Sequence, residues 1–127
     1  MLEERKLFDT LMRQVNASLL VTSPNDSLLY VADSQYGRLQ KRMDHLACFL
    51  GGLLQMAATG APPDLAEWYQ ATGSGLTATC HAAYARTKTR LGPDIMGFSG
   101  GSRPDGAALG QSFYWLRPVM MRTSPPA

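Results

Sequence analysis

Between residues 3 and 15, Leu7, Phe8, Leu11, Met12 and Val15 recur at three- and four-residue intervals with charges opposite, which predicts a helix with one buried face. The run Thr22-Ser23-Pro24-Asn25-Asp26 carries turn chemistry and ends it. Leu28 to Ala32 is short and β-prone, and Tyr36-Gly37 supplies a turn into a second strand at about Arg38 to Lys41, predicting one β-hairpin. From Asp44 the spacing becomes helical again through Leu46, Phe49, Leu50, Leu53, Leu54 and Ala57, until Gly60 and Pro62-Pro63. This helix is apolar on most sides, which predicts deep burial. Asp64 stands where a helix cap belongs, with Glu67 in the capping-box position. The helix that follows through Trp68 and Tyr69 meets Gly73-Ser74-Gly75, read as a surface loop, before Leu76, Cys80, Ala83 and Tyr84 resume helical spacing. Residues 99–110, rich in Gly, Ser and Pro, read as loop, and residues 119–127 as a disordered tail.

Composition adds mainly exclusions. A 45% hydrophobic content with 17% charged residues suits one globular domain and argues against disorder throughout. The formal charge of +2 arises without a basic run, so nothing favours nucleic acid as a partner. No apolar stretch reaches the roughly 18 residues of a membrane span, and Met1-Leu2-Glu3-Glu4-Arg5-Lys6 lacks the apolar core of a signal peptide. Membrane association would therefore need a segment absent here. Two sequons, Asn16-Ala17-Ser18 and Asn25-Asp26-Ser27, fit the N-glycosylation pattern, which matters only in a secreted context.

Three motifs occur in order. Leu28 to Gly52 holds Lys41-Arg42 followed by Met43-Asp44-His45-Leu46 and Cys48-Phe49; Arg90-Leu91-Gly92-Pro93-Asp94 comes next, and then Tyr114-Trp115-Leu116-Arg117-Pro118. Together they resemble the catalytic domain of the class I α-1,2-mannosidases, glycoside hydrolase family 47. Such enzymes are inverting, calcium-dependent glycosidases that trim N-linked glycans in the endoplasmic reticulum and Golgi. The resemblance is strongest over residues 28–118 and implies a partial catalytic domain over residues 1–118 with a divergent tail after it. The family's fold is an (α/α)7 barrel whose acidic pocket is closed at the bottom by a β-hairpin. Fourteen helices of about 11 residues with loops of about five need on the order of 220 residues. The expected fold class is thus mainly α, an incomplete fragment of an (α/α)7 barrel with one β-hairpin, as a truncated gene model or aberrant splicing would produce.

By the resemblance, Asp44 and His45 start a helix facing the sugar pocket, Asp94 lies in the Pro-Asp loop where the family has Glu, and Arg117 sits at the pocket floor. On the residues alone other readings stay open: Asp44 as a helix cap, His45 as a structural histidine, Arg117 as a solvated loop residue. Inverting hydrolysis needs one acid for the leaving oxygen and a second carboxylate to activate water. The family's Glu after Arg-Pro, a candidate base, is replaced by Val119, and no acid follows Asp105. The family's Thr-Glu-Ala-His-Pro run, whose Thr binds calcium, has no counterpart, and no clustered acidic loop substitutes for it. Neither catalysis nor a calcium site is expected of these residues alone, although the complete family enzyme uses calcium.

The resemblance also implies a disulfide between Cys48 and Cys80, against the alternative of two buried free thiols usual in cytosol. The functional expectation is a fragment of a mannosyl-oligosaccharide 1,2-α-mannosidase acting on high-mannose N-glycans or glycoproteins in the secretory pathway. The alternatives are a non-catalytic mannose- or glycoprotein-binding quality-control protein and a small helical interaction domain.

Overall fold

Helix α1 (Leu2–Ser18) leads into strand β1 (Leu20–Thr22), and the computed structural model describes residues 2–24 and 27–98 of the chain. Strands β2 (Leu29–Val31), β3 (Asp33–Gln35), β4 (Arg38–Gln40) and β5 (Arg42–Asp44) follow, then a 3-10 turn (His45–Cys48), helix α2 (Phe49–Ala58), helix α3 (Pro63–Ala85) and strand β6 (Ile95–Gly97). The strands form three antiparallel pairs: β1 with β2, β3 with β4, and β5 with β6. The described chain is mainly helical, as expected, with three short strand pairs where one β-hairpin was expected, and the tail and the 99–110 loop lie outside the described residues.

Helix α3 packs against α2, β2 and the 3-10 turn. Leu65, Tyr69, Thr72, Leu76, Thr79, Cys80 and Ala83 repeat at three- and four-residue steps and are all buried, so they form one stripe. The Thr79 hydroxyl donates to the Leu29 carbonyl at 2.6 Å, tying β2 to the helix and satisfying a fully buried polar group. Beyond it, Met43 and Met96 face each other across β5 and β6, both fully buried, and Tyr30 stacks on Phe98 with centroids 3.9 Å apart. The Val31 amide meets the Met43 sulfur at 3.3 Å, which joins the β1–β2 pair to the β5–β6 pair.

Several expectations change. The Tyr36-Gly37 turn forms as read, both residues at positive φ (51° and 74°), the signature of a type I′ hairpin. Its strands differ, because a two-residue loop pairs its immediate flanks: Gln35 faces Arg38 and Asp33 faces Gln40. Leu29–Val31 pairs instead with Leu20–Thr22, a strand hidden in sequence because it directly follows the amphipathic run. Asp64 is not the cap. Pro63, with its fixed φ and missing N–H, takes the first helical position, so Pro62 becomes the N-cap without a side-chain bond and Asp64 falls inside the first turn. No Asp64–Glu67 capping box forms.

Gly73-Ser74-Gly75 is not a loop either, since α3 runs unbroken from Pro63 to Ala85. Gly73 is buried where α3 crosses α2, and a Cβ there would stand 2.8 Å from the Gly51 carbonyl oxygen. The glycines serve close backbone approach rather than a break. Deep burial of α2 also fails: only Gly51, Leu54 and Ala58 are buried, whereas Phe49, Leu53 and Met56 are exposed, Met56 by 76%. In α1, Phe8, Met12 and Val15 are half-buried and none of its residues is fully buried, while Leu7 and Leu11 point to solvent.

Helix α1 is held by a polar knot as much as by packing. Arg5 pairs with Asp9 at 3.2 Å, donates to the Ala57 carbonyl at 2.6 Å, and lies 5.9 Å from the Tyr69 ring centre. The Tyr69 hydroxyl donates to the Asp9 carboxylate, and burial together with that bond raises the phenol above its ordinary range. One residue on α1 thereby contacts the end of α2 and the middle of α3.

Three measurements check these contacts. Gly73→Ala should lower stability by about 1–2 kcal/mol in urea melts, overpacking of about 1–3 kcal/mol outweighing a helix-propensity gain of at most about 1; Gly75→Ala should cost less, because its Cβ would meet only the flexible Leu29 side chain. Tyr69→Phe should cost about 1.5–3 kcal/mol at neutral pH, the scale of a hydrogen bond to a charged group. Because the folded-state pKa of Tyr69 is raised, its contribution is complete below about pH 10 and fades as pH rises further, where the unfolded phenol ionises first. Alkaline melts of the wild type should show this loss, and those of Tyr69→Phe should show a smaller one, left by Tyr30, whose phenol burial also raises. Reducing the bond between Cys48 and Cys80, whose separation in sequence is 32, should cost about 3–4 kcal/mol in the chain-entropy account.

Candidate functional site

The candidate site is built where β5 runs into the 3-10 turn. Asp44 ends the strand in extended backbone, φ −70° and ψ 140°, and its Oδ1 accepts from the Leu46 amide at 2.9 Å. It therefore caps the turn, and the carboxylate itself is exposed. Across the ladder Asp44 faces Ile95, and the His45 amide donates to the Asp94 carbonyl at 2.6 Å. Asp44, His45 and Asp94 thus meet at one strand-to-turn junction although Asp94 lies fifty positions from Asp44 in sequence.

His45 is 3% exposed, and its Nε2 lies 2.8 Å from the Tyr84 hydroxyl, with the rings edge to face. This contact follows from the helix geometry. His45 and Cys48 are three residues apart on a 3-10 turn, where such positions eclipse, and Cys80 and Tyr84 are four apart on one face of α3. The joined Cys48 and Cys80, with Cα atoms 6.1 Å apart, hold the two elements in the register that brings His45 against Tyr84 one turn along. Gly92 completes the frame, since a Cβ there would stand 3.0 Å from the Tyr84 ring. The Gly92 backbone therefore lies close against the ring that meets His45. Tyr84 was missed in the sequence, where only its four-residue step from Cys80 marked it.

Arg117, Val119 and Asn25 lie outside the described residues. Asn16 is exposed in the last turn of α1, far from Asp44 in sequence and in a different element. The Arg42–Asp33 pair at 2.8 Å flanks the junction and is half-exposed on both sides, so it orients the strands rather than stabilising them much. Among the described residues no group of three or more His, Cys, Asp and Glu side chains is placed to hold a metal ion. A calcium ion wants six to eight oxygen ligands, and the donor set at this junction does not fit one. What the junction offers is an exposed carboxylate beside a buried, held imidazole, an arrangement suited to receiving polar hydroxyl groups.

Comparison with known proteins bears on what such a junction belongs to. The family model of glycosyl hydrolase family 47 matches residues 2–121. The chain is 39% identical over 116 residues to the mannosyl-oligosaccharide alpha-1,2-mannosidase IA of Drosophila melanogaster, covering 91% of this chain and 17% of that protein. It is 34% identical over 122 residues to the mannosyl-oligosaccharide 1,2-alpha-mannosidase IA of Sus scrofa, covering 96% of this chain and 18% of that one. The endoplasmic reticulum mannosyl-oligosaccharide 1,2-alpha-mannosidase of Saccharomyces cerevisiae is 30% identical over 117 residues, covering 76% of this chain and 20% of its own length. The chain thus spans about a fifth or less of the relatives it matches. With the family model covering nearly all of its residues, the chain belongs to glycosyl hydrolase family 47.

Proposed function

We propose that these residues form one wall of the glycan pocket of a class I α-1,2-mannosidase that removes terminal α-1,2-linked mannose from high-mannose N-glycans in the secretory pathway. The observation that carries the reading is the junction of Asp44, His45 and Asp94, held by the Cys48–Cys80 bond and by Tyr84, in a chain of this family. The Asp44 carboxylate, with Oδ1 engaged by the Leu46 amide, presents its remaining acceptor capacity toward sugar hydroxyls. His45, buried and held at Nε2, fixes the shape of the wall. Asp94 and, beyond the described residues, Arg117 are assigned to sugar contacts as well, Arg117 as a planar donor.

Inverting hydrolysis breaks the bond between the anomeric carbon and the glycosidic oxygen while water attacks from the opposite face; one carboxylic acid protonates the departing oxygen and a carboxylate takes the proton from water. Both groups, and the calcium on which the family depends, are assigned to residues other than those described here. Within an (α/α)7 barrel this segment would supply positioning, with the acid and base on further helices. Val119 in place of the family's Glu favours a second reading, a pocket that binds mannose without cleaving it.

A chimera tests the proposal. Residues 2–98 replace the matching segment of the fruit-fly relative, whose own acid, base and metal ligands remain. The chimera should release mannose from an α-1,2-linked disaccharide, and Asp44→Ala within it, which removes the exposed carboxylate assigned to the sugar, should lower kcat/KM by about a hundredfold, the scale for removing one positioned polar group. A folded chimera that binds mannose without turnover would establish the second reading, and one that neither binds nor cleaves would overturn both. The 127-residue chain by itself should release no mannose, and Val119→Glu should not restore release, because a second carboxylate is still needed.

A further inference from the structure

Arg13 and Asn16 near the end of α1 and Asp64, Leu65 and Trp68 in the first turns of α3 line one cleft of about 260 Å3, none of them a residue of the junction described above. Drug-sized ligand pockets occupy about 300–1,000 Å3, so this one suits a single ring. Its lining is mixed: Trp68 is half-buried, Leu65 is buried beneath, and Arg13, Asn16 and Asp64 are exposed. A sugar ring matches that mixture, with a face of C–H groups for the indole and an edge of hydroxyls for the guanidinium and carboxylate. Asn16 is also the acceptor of a sequon, with Ala17 between it and the Ser18 hydroxyl.

We propose that Asn16 carries an N-linked glycan whose first N-acetylglucosamine lies in this cleft against Trp68. The inference rests on the secretory reading above, since only there does the chain meet the donor, a lipid diphosphate bearing an oligosaccharide. The Asn16 amide nitrogen bonds to the anomeric carbon of that sugar, the bond from this carbon to the diphosphate oxygen breaks, the lipid diphosphate departs with the electron pair, and the amide loses one proton. In the fold, Ser18 donates to the Gln14 carbonyl at 2.6 Å within α1. Attachment therefore belongs to the extended chain, before the helix closes. Afterwards the exposed Asn16 side chain leaves the sugar free to fold back over Trp68, where Asp64 and Arg13 reach its hydroxyls and acetamide and Leu65 underlies its methyl group. Aromatic contact at this position would clamp the end of α1, the one described α-helix with no buried residue, onto α3.

The test expresses the full chain behind a cleavable secretion leader in glycosylating cells, with Asn25→Gln to leave one sequon, and trims the glycan enzymatically to a single carbon-13-labelled N-acetylglucosamine. Intact-mass measurement should show Asn16 occupied, and the sugar's ring protons should move upfield from their free values under the indole current. Trp68→Leu keeps apolar volume in the half-buried position and should return those resonances to free values; Asp64→Ala, at an exposed position, should reduce the shift. The trimmed glycoprotein should melt above Asn16→Gln, with the gap lost in Trp68→Leu. An unmodified Asn16, or sugar resonances at free values in a folded wild type, would overturn the proposal. Neither outcome touches the mannosidase reading, which the chimera decides separately.

Discussion

The bond between Cys48 and Cys80 is the constraint on which the rest of the described chain depends. It pins a 3-10 turn, a weak element on its own, to the C-terminal part of the longest helix. One turn along the same two elements, His45 reaches Tyr84 at 2.8 Å, a register that a slip of one residue in either element would destroy. The strand pair follows from that placement as well: with His45 held, its amide meets the Asp94 carbonyl, and β6 is drawn beside β5 with Met96 over Met43. A covalent link that closes a 33-residue loop from Cys48 to Cys80 removes freedom from the unfolded chain rather than adding contacts to the folded one. It is well suited to a segment that buries little of α1 and only one side of α2.

Exposure on those helices is informative. Leu7 and Leu11 on α1, and Phe49, Leu53 and Met56 on α2, present apolar faces that the described residues leave uncovered. Apolar surface of this kind calls for a covering partner. Hydrophobic periodicity reports the environment a helix is suited to, so α2 reads from its sequence as buried on more sides than the described residues cover.

Much of the rest was legible where local chemistry decides conformation. Tyr36-Gly37 declared its turn because two successive positive φ angles are needed there, and Gly60, at φ 80°, marks the end of α2. The junction residues Asp44 and His45 could be marked by family resemblance, and the half-cystines likewise. Elements set by tertiary contact were not legible. Gly73 and Gly75 look the same as glycines of a loop, and only the crossing of α2 over α3 at Gly51 shows them to be contact points. Leu20–Thr22 is three residues long, below any periodicity, and becomes a strand because β2 lies beside it. Tyr84 carries no motif, and its place follows from the disulfide register.

The two sugar contacts proposed for this chain differ in how firmly the fold holds the residues that would make them. At the junction, polar groups are preorganised: the turn is capped by Asp44, the imidazole of His45 meets a phenol, and Gly92 lies against that phenol, so little freedom remains to be lost when a ligand arrives. In the cleft between α1 and α3, Trp68 and the exposed polar side chains around it are held by no comparable frame. A freely diffusing monosaccharide would have to offset the loss of its own translational freedom against one ring contact and a few solvent-exposed hydrogen bonds. A sugar already bonded to Asn16 has lost that freedom beforehand and is present at high effective concentration. The weaker frame thus suffices for the tethered sugar proposed at Asn16, whereas the glycan contact proposed at the junction, made with a ligand from solution, calls for the preorganisation that the disulfide and the helix behind it supply.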